Sequence, residues 1–178
     1  MVNGTGQDSV HTHHLPLCHA QRADWGNANR RPGVATRENR YIIRLAGEED
    51  GAGLTGLFAQ LGYPNPDGAV SARLAQPDPA REVLVALCEG IPVGVLVWHH
   101  LQPMHLAPAW GLISALVVDE GARGGGIGAL LLAAAEQRAA ALGCGQLELS
   151  SSLKREGAHR FYLAQGYCER PKRFVKAV

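Results

Sequence analysis

The fold of this chain is decided by residues 112–142, which read LISALVV (112–118), DEGARGGGIG (119–128) and ALLLAAAEQRAAAL (129–142). The first segment is apolar except for Ser114, as expected of a central strand that is buried on both faces. A turn with five glycines follows and leads into a run of strong helix formers that Gly143 ends. The sequence therefore predicts a strand, a glycine-rich turn and a long helix.

Working outward from this stretch, the patterns upstream and downstream predict further elements. We expect strands at 41–46, 82–88, 93–99 and 146–150, helices at 48–61, 67–76 and 154–165, a hairpin connection at 89–92, and a β-like ending through Phe174 and Val175. The strand from Leu112, the helix and the strand from Gln146 form a right-handed βαβ unit. This order of elements predicts an α/β (α+β) protein.

Length and composition bound the number of domains. The 178 residues are 46% apolar and 19% charged, enough for one domain of catalytic size plus an appendage. Residues 1–39 are rich in Asn, Gly, His and Arg and lack periodicity, so we expect a flexible or extended arm there and a single domain over residues 40–178. The net charge of +1 and the absence of a basic stripe argue against nucleic acid as a partner.

Cysteine usage and hydropathy indicate the compartment. Cys18, Cys88, Cys144 and Cys168 are widely spaced and form no C-x-x-C pair, so we expect reduced thiols rather than a disulfide framework. The N-terminus has no apolar signal region, and the longest apolar run is far too short for a membrane span. A cytoplasmic protein without a membrane partner is the expectation.

The glycine-rich turn is suited to binding an anion. Backbone N–H groups at the start of a helix point outward at its positive end, and glycines allow an anion to approach them closely. The turn lacks the Lys-Ser or Lys-Thr of a P-loop, and Gly126-Ile127-Gly128 is not followed by the last glycine of a dinucleotide fingerprint. A pyrophosphate site of another class remains, although tight packing is the structural alternative.

Two motifs together resemble the GNAT superfamily of N-acetyltransferases. Arg123, Gly126 and Gly128 match its signature of Gln or Arg, two residues, Gly, one residue, and Gly or Ala, while residues 158–167 (AHRFYLAQGY) resemble its aromatic-bearing helix. The resemblance implies a bacterial-type acetyltransferase, often dimeric, that uses acetyl-CoA as co-substrate. It also implies a mixed, mostly antiparallel twisted sheet of six to seven strands, about four flanking helices, and a bulged strand four that splays from strand five.

The same resemblance implies where the cofactor binds. Backbone groups of strand four hydrogen-bond the pantetheine arm, and amides of the turn receive the pyrophosphate, with Arg123 adding positive charge. Arg155 stands where many relatives have Asn near the pantetheine. The implied cofactor-binding residues are Leu116, Val117, Val118, Arg123, Gly124, Gly125, Gly126, Ile127, Gly128, Ala129 and Arg155.

For the chemistry, the resemblance implies that Tyr162 is the general acid that protonates the coenzyme A sulfur and that the Val117 amide, or a neighbouring one, polarises the thioester carbonyl. Strand four carries no carboxylate where many relatives have their base. Glu148 is our candidate base, and the alternatives are a histidine near the loop before strand four, namely His99, His100 or His105, or a water chain.

The acceptor is expected to be a small primary amine, attacked directly in a ternary complex. Residues 48–89 carry seven acidic and two basic residues, which favours a cationic acceptor, although solvated helix surfaces explain the same pattern. The alternatives are a non-catalytic acyl-CoA-binding regulatory module and a protein or peptide N-acetyltransferase. Histidines at 11–19 could also hold a metal, but their spacing matches no closed site, and we predict no metal.

Overall fold

A computed structural model describes residues 40–105, 107–170 and 176 of the chain. The predictions for the arm at 1–39 and for the β-like ending at 174–175 lie outside these residues. By their internal contacts, the residues fall into two compact units, one containing residues 40–155 and the other beginning at Glu156. No helix among the described residues is long and apolar enough to span a membrane.

Five strands and four α-helices form the described part of the chain. In chain order they are β1 (Tyr41–Leu45), α1 (Gly51–Leu61), α2 (Ala69–Leu74), β2 (Arg81–Cys88), β3 (Ile91–Leu101), β4 (Trp110–Val118), α3 (Ile127–Ala141), β5 (Gln146–Leu149) and α4 (Glu156–Ala164). Short 3-10 helices at Glu48–Asp50 and Glu120–Ala122 precede α1 and α3. Every element predicted between residues 41 and 165 is present, with its ends shifted by a few residues.

The strands form one sheet in the order β1-β2-β3-β4-β5, antiparallel except for the parallel pair of β4 and β5. The mixed, mostly antiparallel sheet is thus confirmed, but the described residues supply five strands rather than six to seven. The β2–β3 hairpin is also tighter than predicted. Its turn contains only Glu89 and Gly90, both with positive φ, as a two-residue hairpin turn requires, so Pro92 lies within β3.

The sheet buries a different apolar layer on each face. Leu54 and Leu57 of α1 pack with Val85, Val95 and Val117 on one face. On the other face, α3 approaches β3 closely at Gly94, where an added Cβ would lie 2.9 Å from the Ile127 side chain. Each fully buried aliphatic side chain contributes about 1.5–3 kcal/mol, so the two layers fix both helices on the sheet.

The second unit contains α4, whose C-terminal end is closed by backbone hydrogen bonds. The Gly166 N–H donates to the Leu163 carbonyl and the Tyr167 N–H donates to the Tyr162 carbonyl at 3.0 Å each. This is the Schellman arrangement, which the predicted glycine after the helix favours. The helix therefore ends where the sequence pattern indicates.

Candidate active site

β4 parts from β5 halfway along its length. β5 pairs only with residues 110–113 of β4, whereas β3 pairs with β4 as far as Val118. At the same point the register of β3 and β4 shifts, because Val97 pairs with Ala115 and Trp98 with Ile113, leaving Ser114 as an extra residue. Ser114 is thus the bulge in β4, and the strand's outer edge opens immediately after it.

Strand alternation decides which peptide groups face the open edge. The Asp119 N–H donates to the Val93 carbonyl at 2.9 Å, so the peptide groups of Asp119 and Val117 face β3. The peptide groups of Leu116 and Val118 then face away from β3, toward the edge of β4 that is not paired with β5. Consistently, the Val118 carbonyl accepts a hydrogen bond from Nε of Arg123 at 3.2 Å. Two N–H groups on this edge are therefore oriented to bind an extended ligand.

The glycine-rich turn presents the N-terminus of α3 to solvent. Gly124 and Gly126 have φ values of +81° and +82°, which L side chains rarely adopt, and a Cβ added at either would meet open space. Among the described side chains none caps α3, and the first helical hydrogen bond is donated by Leu130 to Gly126. The amides of Ile127, Gly128 and Ala129 precede it and point outward. Such outward amides at a helix N-terminus are suited to an anion, and an anion site at this turn remains a prediction.

Distant parts of the chain hold this turn in place. Nε2 of Gln60 in α1 donates to Asp119 at 2.8 Å, and Oε1 of Gln60 accepts from the Glu120 N–H at 3.1 Å. The Tyr41 hydroxyl of β1 lies so close to Gly125 that an added Cβ would be 2.8 Å from it. Sequence reasoning missed Gln60 and Tyr41, since no local signal links positions some 60 or more residues from the turn.

The two arginines of the predicted cofactor site differ in their contacts. Arg123 is exposed at the edge of the turn, and its contact with Val118 uses one of the five guanidinium donors. Arg155 instead donates from Nη2 to the Leu61 carbonyl at 2.9 Å, at the C-terminal end of α1. A cation is favourable at a helix C-terminus, so this contact also serves the fold. Cofactor roles for both arginines remain predictions.

The candidate bases lie at different places on the sheet. Nε2 of half-buried His99 is 3.1 Å from the hydroxyl of Ser114, which is itself 3.4 Å from the Val97 carbonyl. Glu148 is exposed on β5 and accepts a hydrogen bond from Gln146 at 2.7 Å. Because Leu112 pairs with both His99 and Glu148, these two side chains share a face, roughly 10 Å apart across two strand spacings.

The other two histidines named from the sequence are placed differently. His100 lies on the opposite face from His99 by strand alternation, and its buried Nε2 has no hydrogen-bond partner among the residues that the structure describes. His105 is exposed in the loop before β4. Of the three histidines, His99 is the one placed beside the bulge.

Tyr162, the predicted acid, lies in α4 within the second unit. Its ring packs against those of Phe161 and Tyr167, with centroids 5.3 and 6.0 Å away. These contacts fix the ring, which suits either a positioned acid or a structural tyrosine.

The acidic residues between 48 and 89 are largely paired within the protein. Four of the seven lie in ion pairs, namely Glu49 and Asp50 with Arg44, Asp78 with Arg81, and Glu82 with Arg138. Asp50 is buried, and its hydrogen bonds from Arg44 hold the pKa of the carboxyl below its ordinary value. These carboxylates are therefore poorly placed to attract a cationic acceptor.

A cavity of about 310 Å³ lies at the α2–β2 connection. Leu74, Arg81 and Val83 line it, and the residues of the glycine-rich turn do not. Arg81 pairs with His99 in the sheet register, so its side chain shares the face of the His99–Ser114 pair. The cavity is thus separate from the anion site but lies on the face where α1 and α2 pack.

The described residues form an α+β fold in which the open edge of β4 leads into the N-terminus of α3, the arrangement that the GNAT resemblance implies. The sequence matches the acetyltransferase (GNAT) family over residues 55–167, more than half of the chain. The protein therefore belongs to the GNAT family of acetyltransferases, and the predicted family is confirmed.

Individual relatives agree with this assignment. An aminoalkylphosphonate N-acetyltransferase of Salmonella typhimurium strain LT2 is 43% identical over 101 residues, which is 57% of this chain and 66% of that protein, just under two thirds of its length. An aminoglycoside acetyltransferase from a soil metagenome, solved with sisomicin, covers 79% of this chain and 98% of its own, with 23% identity and a TM-score of 0.69. A transcriptional regulator from Bacillus halodurans C-125 is similar at 22% identity and a TM-score of 0.70, covering 78% and 99%. These two structures show the fold alone.

If the turn binds phosphate, substitutions of the two glycines that flank α3 should have unequal effects on the affinity for coenzyme A. Gly126→Ala and Gly143→Ala each place a Cβ at a positive φ in open space, so each should destabilise the protein by about 1–2 kcal/mol. Gly126 is also the N-cap that directly precedes the outward amides, so its substitution alters the proposed phosphate site. We expect the Gly126 variant to bind coenzyme A about tenfold more weakly by calorimetry, and the Gly143 variant to bind normally. Equal affinities in the two variants would rule out the turn as the phosphate site.

Proposed function

We propose that the protein transfers the acetyl group of acetyl-CoA to the primary amine of a small molecule, by direct attack in a ternary complex. The observation that carries this proposal is the open edge of β4 that continues into the outward amides of Ile127, Gly128 and Ala129. The pantetheine arm of coenzyme A contains amide groups and is joined to a pyrophosphate, and this edge offers matching partners in the same order. Family membership supplies the reaction class.

The order of the binding groups suggests which amide stabilises the developing oxyanion. The thioester is the end of acetyl-CoA furthest from the pyrophosphate, so it belongs furthest back along β4 from the turn. Leu116 carries the first outward amide after the bulge and is our choice for the oxyanion donor, with Val118 binding the pantetheine. This choice moves the role away from Val117, because the Val117 peptide faces β3.

Tyr162 is proposed as the general acid on the strength of the family resemblance. The sulfur of coenzyme A leaves as a thiolate unless it receives a proton, and a phenol is an adequate donor at neutral pH.

An aminoalkylphosphonate is the acceptor we propose first. The relative from Salmonella typhimurium, 43% identical over its match, acts on this class of amine. The ion pairing of the acidic residues weakens the prediction of a cationic acceptor. Arg81 lines the cavity together with Asp78, its ion-pair partner, and with Glu82, so the charge of this lining does not select a phosphonate and the proposed acceptor rests on the relative.

A second candidate function is a non-catalytic acyl-CoA-binding module with a regulatory role. The similarity in fold to the Bacillus halodurans transcriptional regulator and the lack of a carboxylate on β4 favour it. Such a module would bind coenzyme A at the same edge without turnover.

Release of free thiol from acetyl-CoA separates the two functions. The protein is incubated with acetyl-CoA and, in separate arms, aminomethylphosphonate, an aminoglycoside and a short peptide with a free N-terminus. We expect thiol release that depends on the phosphonate amine and the matching N-acetyl product by mass spectrometry. Tight coenzyme A binding without release in any arm would contradict the proposed activity and support the module.

The role of Tyr162 is tested by Tyr162→Phe, which removes the hydroxyl and keeps the ring. We expect kcat to fall about 10- to 100-fold while the dissociation constant for acetyl-CoA changes less than about threefold. Phe161→Leu is the matched change on the neighbouring ring, and it reports the effect of altered packing alone. A Tyr162 variant with an unaltered kcat would exclude this residue as the acid.

A further inference from the structure

The pair of Ser114 and His99 occupies a distinctive place in the sheet. Ser114 is the extra residue of the β4 bulge, and β5 separates from β4 directly after Ile113. The Ser114 side chain is exposed, and behind it the Nε2 of half-buried His99 lies 3.1 Å from the hydroxyl oxygen. A hydroxyl in contact with water and a titratable ring thus stand in hydrogen-bonding distance where the sheet opens.

The pair lies on the face of the sheet against which α1 packs. Val95 and Val97 of β3 pack against the α1 side of the sheet, and His99 continues this face by alternation. Leu116, our choice for the oxyanion donor, is two residues after Ser114. The bulge therefore places the hydroxyl two residues along β4 from the proposed position of the thioester carbonyl.

On the basis of the proposed function, we infer that Ser114 and His99 form the proton relay that deprotonates the acceptor amine, with Ser114 contacting the amine and His99 receiving the proton. This assigns the role of base to a pair of residues on β3 and β4 rather than to Glu148 on β5. β4 carries no carboxylate that could act as the base, and the relay takes over that role.

The proton transfers balance as follows. The Ser114 oxygen accepts a proton from the bound ammonium as its own hydroxyl proton passes to Nε2 of His99, which becomes an imidazolium. The amine lone pair then attacks the thioester carbonyl carbon, a C–N bond forms and the C–S bond breaks. Sulfur takes the proton of the Tyr162 hydroxyl, and the second proton lost by nitrogen replaces it. His99 returns its proton to solvent, so one ammonium and one acetyl-CoA yield one amide, one thiol and one proton.

Other charged groups near His99 are few. Arg81 faces it from β2 and is bound by Asp78 and by the Arg73 carbonyl of α2. Glu148 faces it from β5 across Leu112, while the sequences of α1 and β4 contain no ionisable side chain. The pH dependence of kcat in the range of an imidazole can therefore be assigned by substituting His99 and Glu148 separately.

The test is the pH profile of kcat at saturating acetyl-CoA and amine, from pH 5 to pH 9. Wild-type kcat should rise through the range in which an imidazole loses its proton. His99→Gln and Ser114→Ala should each lower kcat roughly 100-fold and abolish this rise, with the double variant no worse than either single one. Ser114→Thr keeps the hydroxyl and should restore the rise. The KM for acetyl-CoA should stay within about threefold throughout.

Two further variants distinguish the relay from the alternative bases. Glu148→Gln and His105→Gln should both keep the rise with pH, and loss of it in either one would overturn the relay. A rise of kcat with pH that persists in His99→Gln would also overturn the relay, although the acetyltransferase activity would then be established. A wild-type protein that acetylates no amine would instead overturn the proposed function, and the relay with it.

Discussion

β4 is hydrogen-bonded to β3 as far as Val118 but to β5 only over its first four residues, and the proposed function depends on this parting. A peptide group removed from water without a partner is costly, so an opened strand edge persists only if water or a ligand satisfies it. The bulge at Ser114 creates the opening, and the turn at Gly124 and Gly126 extends it into the start of α3. Bulge, edge and turn together form one continuous surface, which is the proposed binding site for the pantetheine arm and the pyrophosphate of coenzyme A.

α1 and α3 pack on opposite faces of the sheet, and both help to position this surface. α3 is held on β3 through Gly94 and Ile127, which fixes its first amides relative to the sheet. α1 reaches the same turn from the other face, where Gln60 bonds both Asp119 and Glu120. The turn is therefore positioned by both packed layers, and the contacts that hold the proposed phosphate site are present without a ligand. A preformed site avoids the entropy of ordering a loop on binding.

The strand, turn and helix at 112–142 could be predicted because their signals are local: a continuous apolar run, closely spaced glycines and a run of helix formers. The direction of the Val117 peptide group could not be predicted from the sequence. One extra residue at Ser114 reverses which peptide groups of β4 face outward, and this extra residue is recognised only from the pairing of β4 with β3. The His99–Ser114 contact depends on the same register. Likewise, the acidic excess predicts a cationic acceptor, but ion pairs such as that of Glu82 with Arg138, 56 residues apart, appear only in the structure.

The central claim, that the open edge of β4 and the start of α3 bind coenzyme A, is tested most directly by a ¹H–¹⁵N NMR titration with coenzyme A. The account predicts the largest amide shifts at Leu116 and Val118 and at residues 127–129, with a smaller change at Val117, whose N–H bonds β3. Binding of coenzyme A that leaves these amides unshifted, or that shifts chiefly the cavity at the α2–β2 connection, would contradict it.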